Sequence, residues 1–267
     1  MKAQSRGYRS DLMLARLQGA LVGDRGDHLV IRTPGNPMFH WGNYVLADRS
    51  WLDRPLADLV ATFHAEHPRS QHVAIGVDGV DGRVWGAGEV AACGLEVDRN
   101  VVMTATRVRA PERPNPDAVC RMLAADAGAD WEAAVTLHAL DHHDFDAGEF
   151  RDVVQRRMNA RREQQVAGLG GWFGAFVGGE MVSGLGLFTD GSGLGRFQDV
   201  ETLASARRLG LASTLVHHAS IVGLRDFEIR DLVMVADPDD TAIRIYRSMG
   251  FADSELQIQL ARPMPTA

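Results

Sequence analysis

A strand-like run, Phe197 to Thr202, gives way within a few residues to Arg207-Arg208-Leu209-Gly210-Leu211-Ala212-Ser213, where two arginines and a glycine open a small-residue helix. Aligned peptide dipoles make a helix N-terminus partly positive, so each cation placed there costs about 0.3–1 kcal/mol. An anion relieves that cost. The unpaired N–H groups of a first helical turn, with Gly210 permitting close backbone approach, form a seat for phosphate. The junction therefore requires a strand feeding directly into a helix, and it points to a phosphorylated ligand.

The surrounding pattern alternates as strands and helices do in an α/β or α+β mixed sheet. Glu132 to Ala139 is expected as a strand, and Ala147 to Gln165 as a charged helix carrying Phe150, Val153, Val154 and Met158. Gly171 to Val177 and Met181 to Phe188 read as a hairpin turned at Gly178-Gly179. The helix after the junction, Ala206 to about Gly223, carries Leu211, Leu215, Ala219 and Val222 on one face. Asp231 to Ala236 reads as a buried strand, Thr241 to Met249 as a helix, and Glu255 to Ala261 as a final strand.

Upstream, Arg109 to Asp117 holds Pro111, Pro114 and Pro116, which block regular hydrogen bonding and favour an extended connector. The expected division is a first domain over 1–110, a linker over 111–129 and a second domain over 130–267. In the first domain, Phe39 to Ala47, Leu56 to Glu66 and His72 to Asp78 read as strand, helix and strand, the order found near 197–236. Gly94 to Ala105 is similar to Gly250 to Ala261 in its Gly-apolar start and late apolar strand, which suggests a diverged internal repeat. The corresponding strand-to-helix turn, Asp48 to Pro55, has acidic side chains, a proline and no glycine, a poor phosphate seat.

A chain of 267 residues has ample core for two domains. No stretch approaches the ~20 apolar residues of a membrane span, and the N-terminal stretch lacks the apolar region of a secretion signal, so a cytoplasmic location is expected. Cys93 and Cys120 lack metal-type spacing and read as core or incidental residues. A net charge of -7 without a basic tract argues against nucleic acid as the main partner.

One helix and one strand after the arginine-led loop comes Asp239-Asp240-Thr241-Ala242-Ile243-Arg244-Ile245-Tyr246-Arg247-Ser248-Met249-Gly250-Phe251. The pair of segments resembles the two signature motifs of the GNAT superfamily of acyl-CoA-dependent N-acyltransferases. Arg207, Gly210 and Ala212 match its pyrophosphate loop, and Ala242, Tyr246, Gly250 and Phe251 match its second motif. Asp239 stands where the family usually has asparagine, which keeps an acceptor and loses an amide donor. The resemblance covers roughly 130–262 and implies a GNAT-like fold, in tandem with a first half that reads as a diverged GNAT-like repeat.

The resemblance implies that the strand carrying Val200 and Thr202 splays from its neighbour at a bulge and holds the pantetheine arm of acetyl-CoA through main-chain groups. The N–H groups of Leu209, Gly210, Leu211, Ala212 and Ser213 would hold the pyrophosphate, with charge added by Arg207 and Arg208. A small-molecule or peptide primary amine would then attack the thioester directly in a ternary complex. Tyr246 is the candidate to protonate the leaving thiolate, the alternative being a buried tyrosine that packs its helix on the sheet. Glu201 is the candidate general base, although strict alternation would point it, like Asp199, away from the face shared by Val200 and Thr202; the alternative for each is a solvated or structural side chain.

His138, His142 and His143 beside Asp141, Asp144 and Asp146 fit no common zinc spacing and read as a polar turn, so no metal is expected. A monomer or homodimer is expected. The competing functional reading is a noncatalytic acyl-CoA-binding sensor, which would use the loop without needing Tyr246.

Overall fold

A computed structural model describes residues 1–36, 40–140 and 147–262. The chain forms two compact units. One holds Met1–Met103, Val235–Asp240 and the chain from Asp253; the other holds Thr104–Met234 and Thr241–Ala252. Residues 111–129, expected as a linker, lie within the second unit, while the last strand lies mainly in the first. Among the described residues, no helix is long and apolar enough to cross a membrane.

The first unit contains α1 (Arg6–Leu17), β1 (Leu21–Asp24), β2 (His28–Arg32), β3 (Tyr44–Ala47), α2 (Leu56–Glu66), β4 (Val73–Val77), α3 (Ala87–Ala92), β5 (Glu96–Ala105) and the chain's last strand, β11 (Ala252–Arg262). Its strands run in the order β1-β2-β3-β4-β11-β5. The β3-α2-β4 segment is a parallel crossover, matching the expected strand, helix and strand. Its first strand begins later than expected, because His40–Gly42 forms a 3-10 turn and Phe39 lies outside the described residues. Every residue of β3 and β4 is buried, which is why both segments are nearly continuous apolar runs. The N-terminus of α1 is held by carboxylates: Asp78 accepts from the N–H groups of Gln4 and Ser5, and Glu255 from those of Arg6 and Gly7. Acidic partners at this end also oppose the helix dipole.

The second unit contains β6 (Val119–Met122), α4 (Gly128–Leu140), α5 (Ala147–Val166), β7 (Gly170–Val177), β8 (Glu180–Thr189), β9 (Leu194–Thr202), α6 (Leu211–Asp226), β10 (Asp231–Ala236) and α7 (Ala242–Ser248). Its strand order is β10-β9-β8-β7-β6. The β7–β8 hairpin turns at Gly178 and Gly179, both with positive φ (61° and 89°), the conformation that matches the twist of the flanking strands.

Alternation sorts the sheet into two covered faces. Phe173 and Leu187 point to α6, where they meet His218 and Gly223. Trp172 and Phe188 point to the opposite face, where Leu137 of α4 lies near Trp172 and the Arg161 guanidinium of α5 stacks 4.7 Å above Phe188.

One expectation fails here: Glu132 to Ala139 is not a strand but the body of α4. Of its buried residues, Trp131, Ala134, Val135 and His138 follow the i, i+3, i+4, i+7 spacing of a helix face, and Leu137 flanks them. Alanines at 133, 134 and 139 favour that helix over the strand suggested by Val135-Thr136.

Candidate active site

Strand β9 carries the first part of the site. Gln198 pairs with Gly186 and Glu201 with Gly184, so three steps along β9 oppose two along β8. The extra residue makes a β-bulge, and Asp199 takes the left-handed conformation at φ 48°. Cross-strand partners share a face, so Gln198 and Glu201 lie on the same side of the sheet, the side covered by α4 and α5. Strict alternation would have put Glu201 on the other side. Beyond the bulge, Thr202 pairs with Ser183, their hydroxyls 2.8 Å apart. On its other edge β9 runs parallel to β10, with pairing over Leu194–Arg196 and Asp231–Val233.

Both carboxylates brought round by the bulge meet nitrogen donors. His138 of α4 places Nδ1 2.5 Å from Glu201 Oε1. Arg157 of α5 donates from Nη2 to both Asp199 oxygens at 3.0 and 2.8 Å, and its Nη1 lies 3.4 Å from His138 Nε2. The imidazole thus lies between the Glu201 carboxylate on its Nδ1 side and the Arg157 guanidinium on its Nε2 side. The Glu201 side chain is 16% exposed and that of His138 5%, so water competes little for this contact. Deeper still, Arg161 donates to Gln198 Oε1 at 3.1 Å, and burial lowers its pKa to about 10, which leaves it cationic at neutral pH. Sequence reasoning offered Glu201 as a base and missed His138 and Arg157 as its surroundings. The available signal was the helical spacing of Trp131, Val135 and His138, which places His138 on a buried face. His142, His143, Asp141, Asp144 and Asp146 lie outside the described residues. Among those described, no group of three or more His, Cys, Asp or Glu is arranged to hold a metal ion.

The anion seat follows. The arginines do not open the helix, as the sequence suggested, but precede it. Ala204–Ala206 forms a 3-10 turn, Arg207 is extended, Arg208 is left-handed at φ 66°, and Gly210 is left-handed at φ 76°. Two left-handed residues so close together cannot belong to an α-helix, and α6 starts at Leu211. Its first helical bond runs from Thr214 N–H to the Gly210 carbonyl at 3.0 Å. The N–H groups of Leu211, Ala212 and Ser213 therefore precede the helical ladder. The Gly210 carbonyl also accepts from Ser213 Oγ at 2.9 Å and Thr214 Oγ1 at 2.7 Å, which stiffens this turn. No acidic residue lies in the first turn of this 16-residue helix. The free N–H groups, the helix dipole and the two arginines together fit a diphosphate anion.

Gly210 has a second reason to be glycine. A Cβ there would run into the Arg113 carbonyl of the proline-flanked segment, so the close approach comes from the chain itself. That segment is also bonded to the loop: Asn115 N–H donates to Thr214 Oγ1 and Asn115 Nδ2 to the Leu209 carbonyl, both at 2.9 Å.

Tyr246 lies on α7, 5% exposed, with its ring edge-on to Phe251 at 6.3 Å. Phe251 in turn meets Phe197 of β9 at 6.0 Å. The Tyr-x-x-x-Gly-Phe pattern is a helix stop: Phe251 N–H bonds the Tyr246 carbonyl at 3.1 Å and Gly250 N–H the Arg247 carbonyl at 3.0 Å. Gly250, at φ 97°, supplies the left-handed residue such a cap needs, and the Tyr246–Phe251 contact is its usual apolar seal. Asp239 is exposed in the Val235–Asp240 segment of the first unit, and its N–H bonds Asp237 Oδ1 at 2.8 Å.

Comparison with known proteins bears on this arrangement. Residues 134–251 match the acetyltransferase (GNAT) family. No curated protein matches the chain. Among solved structures, a GCN5-related N-acetyltransferase from Kribbella flavida superposes with a TM-score of 0.67 at 17% identity, over 98% of this chain and 97% of that one. A GCN5-related N-acetyltransferase from Sphaerobacter thermophilus gives 0.62 at 14% identity, over 100% and 96%. A tandem GNAT protein from the clavulanic acid biosynthesis pathway gives 0.54 at 12%, over 90% and 83%. At these identities the superpositions speak for the fold, and the match over 134–251 for the family. The fold is GNAT-like, and residues 134–251 of the second half match the acetyltransferase (GNAT) family.

Proposed function

We propose that the protein is an N-acetyltransferase that moves an acetyl group from acetyl-CoA to a primary amine, on a small molecule or a peptide, by direct attack in a ternary complex. The observation that carries this reading is the left-handed Arg208–Gly210 kink, which opens three N–H groups at the start of α6, just past the β9 bulge. Acetyl-CoA would supply the acyl group, activated as a thioester. The N–H groups of Leu211, Ala212 and Ser213 would hold its pyrophosphate, with Arg207, Arg208, Leu209 and Gly210 shaping the turn. Main-chain groups of Val200 and Thr202 would align the pantetheine arm.

Glu201 would take the proton that the acceptor ammonium must lose. Its Oε1 is fixed by His138, so Oε2 is the oxygen left to do so. Tyr246 would return a proton to the thiolate that leaves. Two tests decide the reading: calorimetric titration with coenzyme A, and release of free thiol from acetyl-CoA in the presence of an amine panel. Folded protein that does not bind coenzyme A ends the proposal. Binding without turnover across the panel favours the acyl-CoA sensor.

A further inference from the structure

We propose that Asn115 is a positioning residue for the acyl-CoA loop, making the Pro-Asn-Pro segment a clamp rather than a tether; this rests on the acyl-CoA reading above. The loop holds two left-handed residues, one of them Arg208, and a non-glycine residue persists in that conformation only where its surroundings impose it. Asn115 spans the kink. Its side-chain amide donates to the Leu209 carbonyl before Gly210, and its backbone N–H donates to Thr214 Oγ1 after it. The Thr214 hydroxyl passes the connection on to the Gly210 carbonyl.

The clamp is stiff before it binds. Pro114 and Pro116 fix their own φ angles, and each restricts the residue before it, Arg113 or Asn115, to extended backbone. The Asn115 side chain is oriented in turn by Asp117 N–H, which donates to Oδ1 at 3.0 Å. Holding the loop from a rigid segment therefore costs little additional chain entropy. The three N–H groups that follow the kink converge only while the kink keeps its shape, so Asn115 acts on the anion through Leu209 and Thr214 without touching it.

The test compares coenzyme A affinity by calorimetry, KM and kcat for acetyl-CoA, and melting temperature in Asn115→Ala, Asn115→Asp, Thr214→Val and Thr214→Ser. Asp at 115 keeps the acceptor for Asp117 and loses the donor to Leu209; Ser at 214 keeps the hydroxyl. Asn115→Ala, Asn115→Asp and Thr214→Val should each raise Kd and KM about tenfold with kcat held, and Thr214→Ser should stay at the wild-type value. Wild-type affinity in the first three overturns the clamp, as does a lowered melting temperature with unchanged Kd, which would mark a brace for the fold alone. Wild-type protein that fails to bind coenzyme A removes the underlying reading and the clamp with it.

Discussion

Gly210→Ala isolates what the loop's geometry is worth, because Gly168 provides a matched control. Gly210 and Gly168 have nearly the same φ, 76° and 75°, but a Cβ at 168 meets nothing within 4 Å whereas one at 210 meets the Arg113 carbonyl. A left-handed alanine costs about 1–2 kcal/mol relative to glycine, partly offset by about 0.4–1 kcal/mol from the stiffer unfolded chain. Gly168→Ala should therefore lose about 0.5–1 kcal/mol. At 210 the segment must also retreat, breaking the two Asn115 bonds at about 1 kcal/mol each, for a total of roughly 2–3 kcal/mol. Urea unfolding of both variants reads the difference directly, and the matching drop in melting temperature is about 5–10 °C. Equal losses at 168 and 210 would refute the contact argument, and a loss under about 0.5 kcal/mol at both would refute the conformational one.

Other outcomes follow from the same structure. Burial, with help from the Arg32 charge, lowers the His67 pKa to about 4 from 6.5; the unfolded chain then takes up this proton first, so stability is full above about pH 6.5 and falls as pH drops toward 4. His67→Gln should flatten that part of the stability curve, and a curve parallel to the wild type would contradict the assignment. Removing the donor to Glu201 in His138→Leu should lower stability by about 1–3 kcal/mol, with His138→Asn, which keeps a donor near Nδ1, recovering most of it in the same denaturation assay. Tyr246→Phe preserves the packing on Phe251 and should leave coenzyme A affinity within about twofold while kcat falls roughly 100-fold; unchanged kcat would reduce Tyr246 to a packing residue.

Much of the second unit was legible because its signals are local. The Gly178-Gly179 turn, the apolar face of α6 and the Tyr246-to-Phe251 helix stop each depend on residues a few positions apart, where backbone sterics decide. The turn that starts α6 was legible for the same reason, although its first residues were misread as helical: Arg208 in a left-handed conformation is not something arginine's own preferences suggest. The strand expected over 132–139 failed because the β-branched Val135-Thr136 pair is outvoted by the alanines at 133, 134 and 139 and by the i, i+3, i+4, i+7 spacing of Trp131, Ala134, Val135 and His138.

Alone, then, the sequence determined most of the strands and helices from Gly171 to Phe251, since hydrogen-bonding and steric preferences act between near neighbours. The tertiary structure decided what those elements face. A register shift of one residue on β9 carried Glu201 to the α4 side, where His138 waits 63 positions away. Asn115 reaches Thr214 across 99 positions. Such pairings depend on sheet register and on which segments close onto one another, and no local preference of Glu201 or Asn115 encodes either.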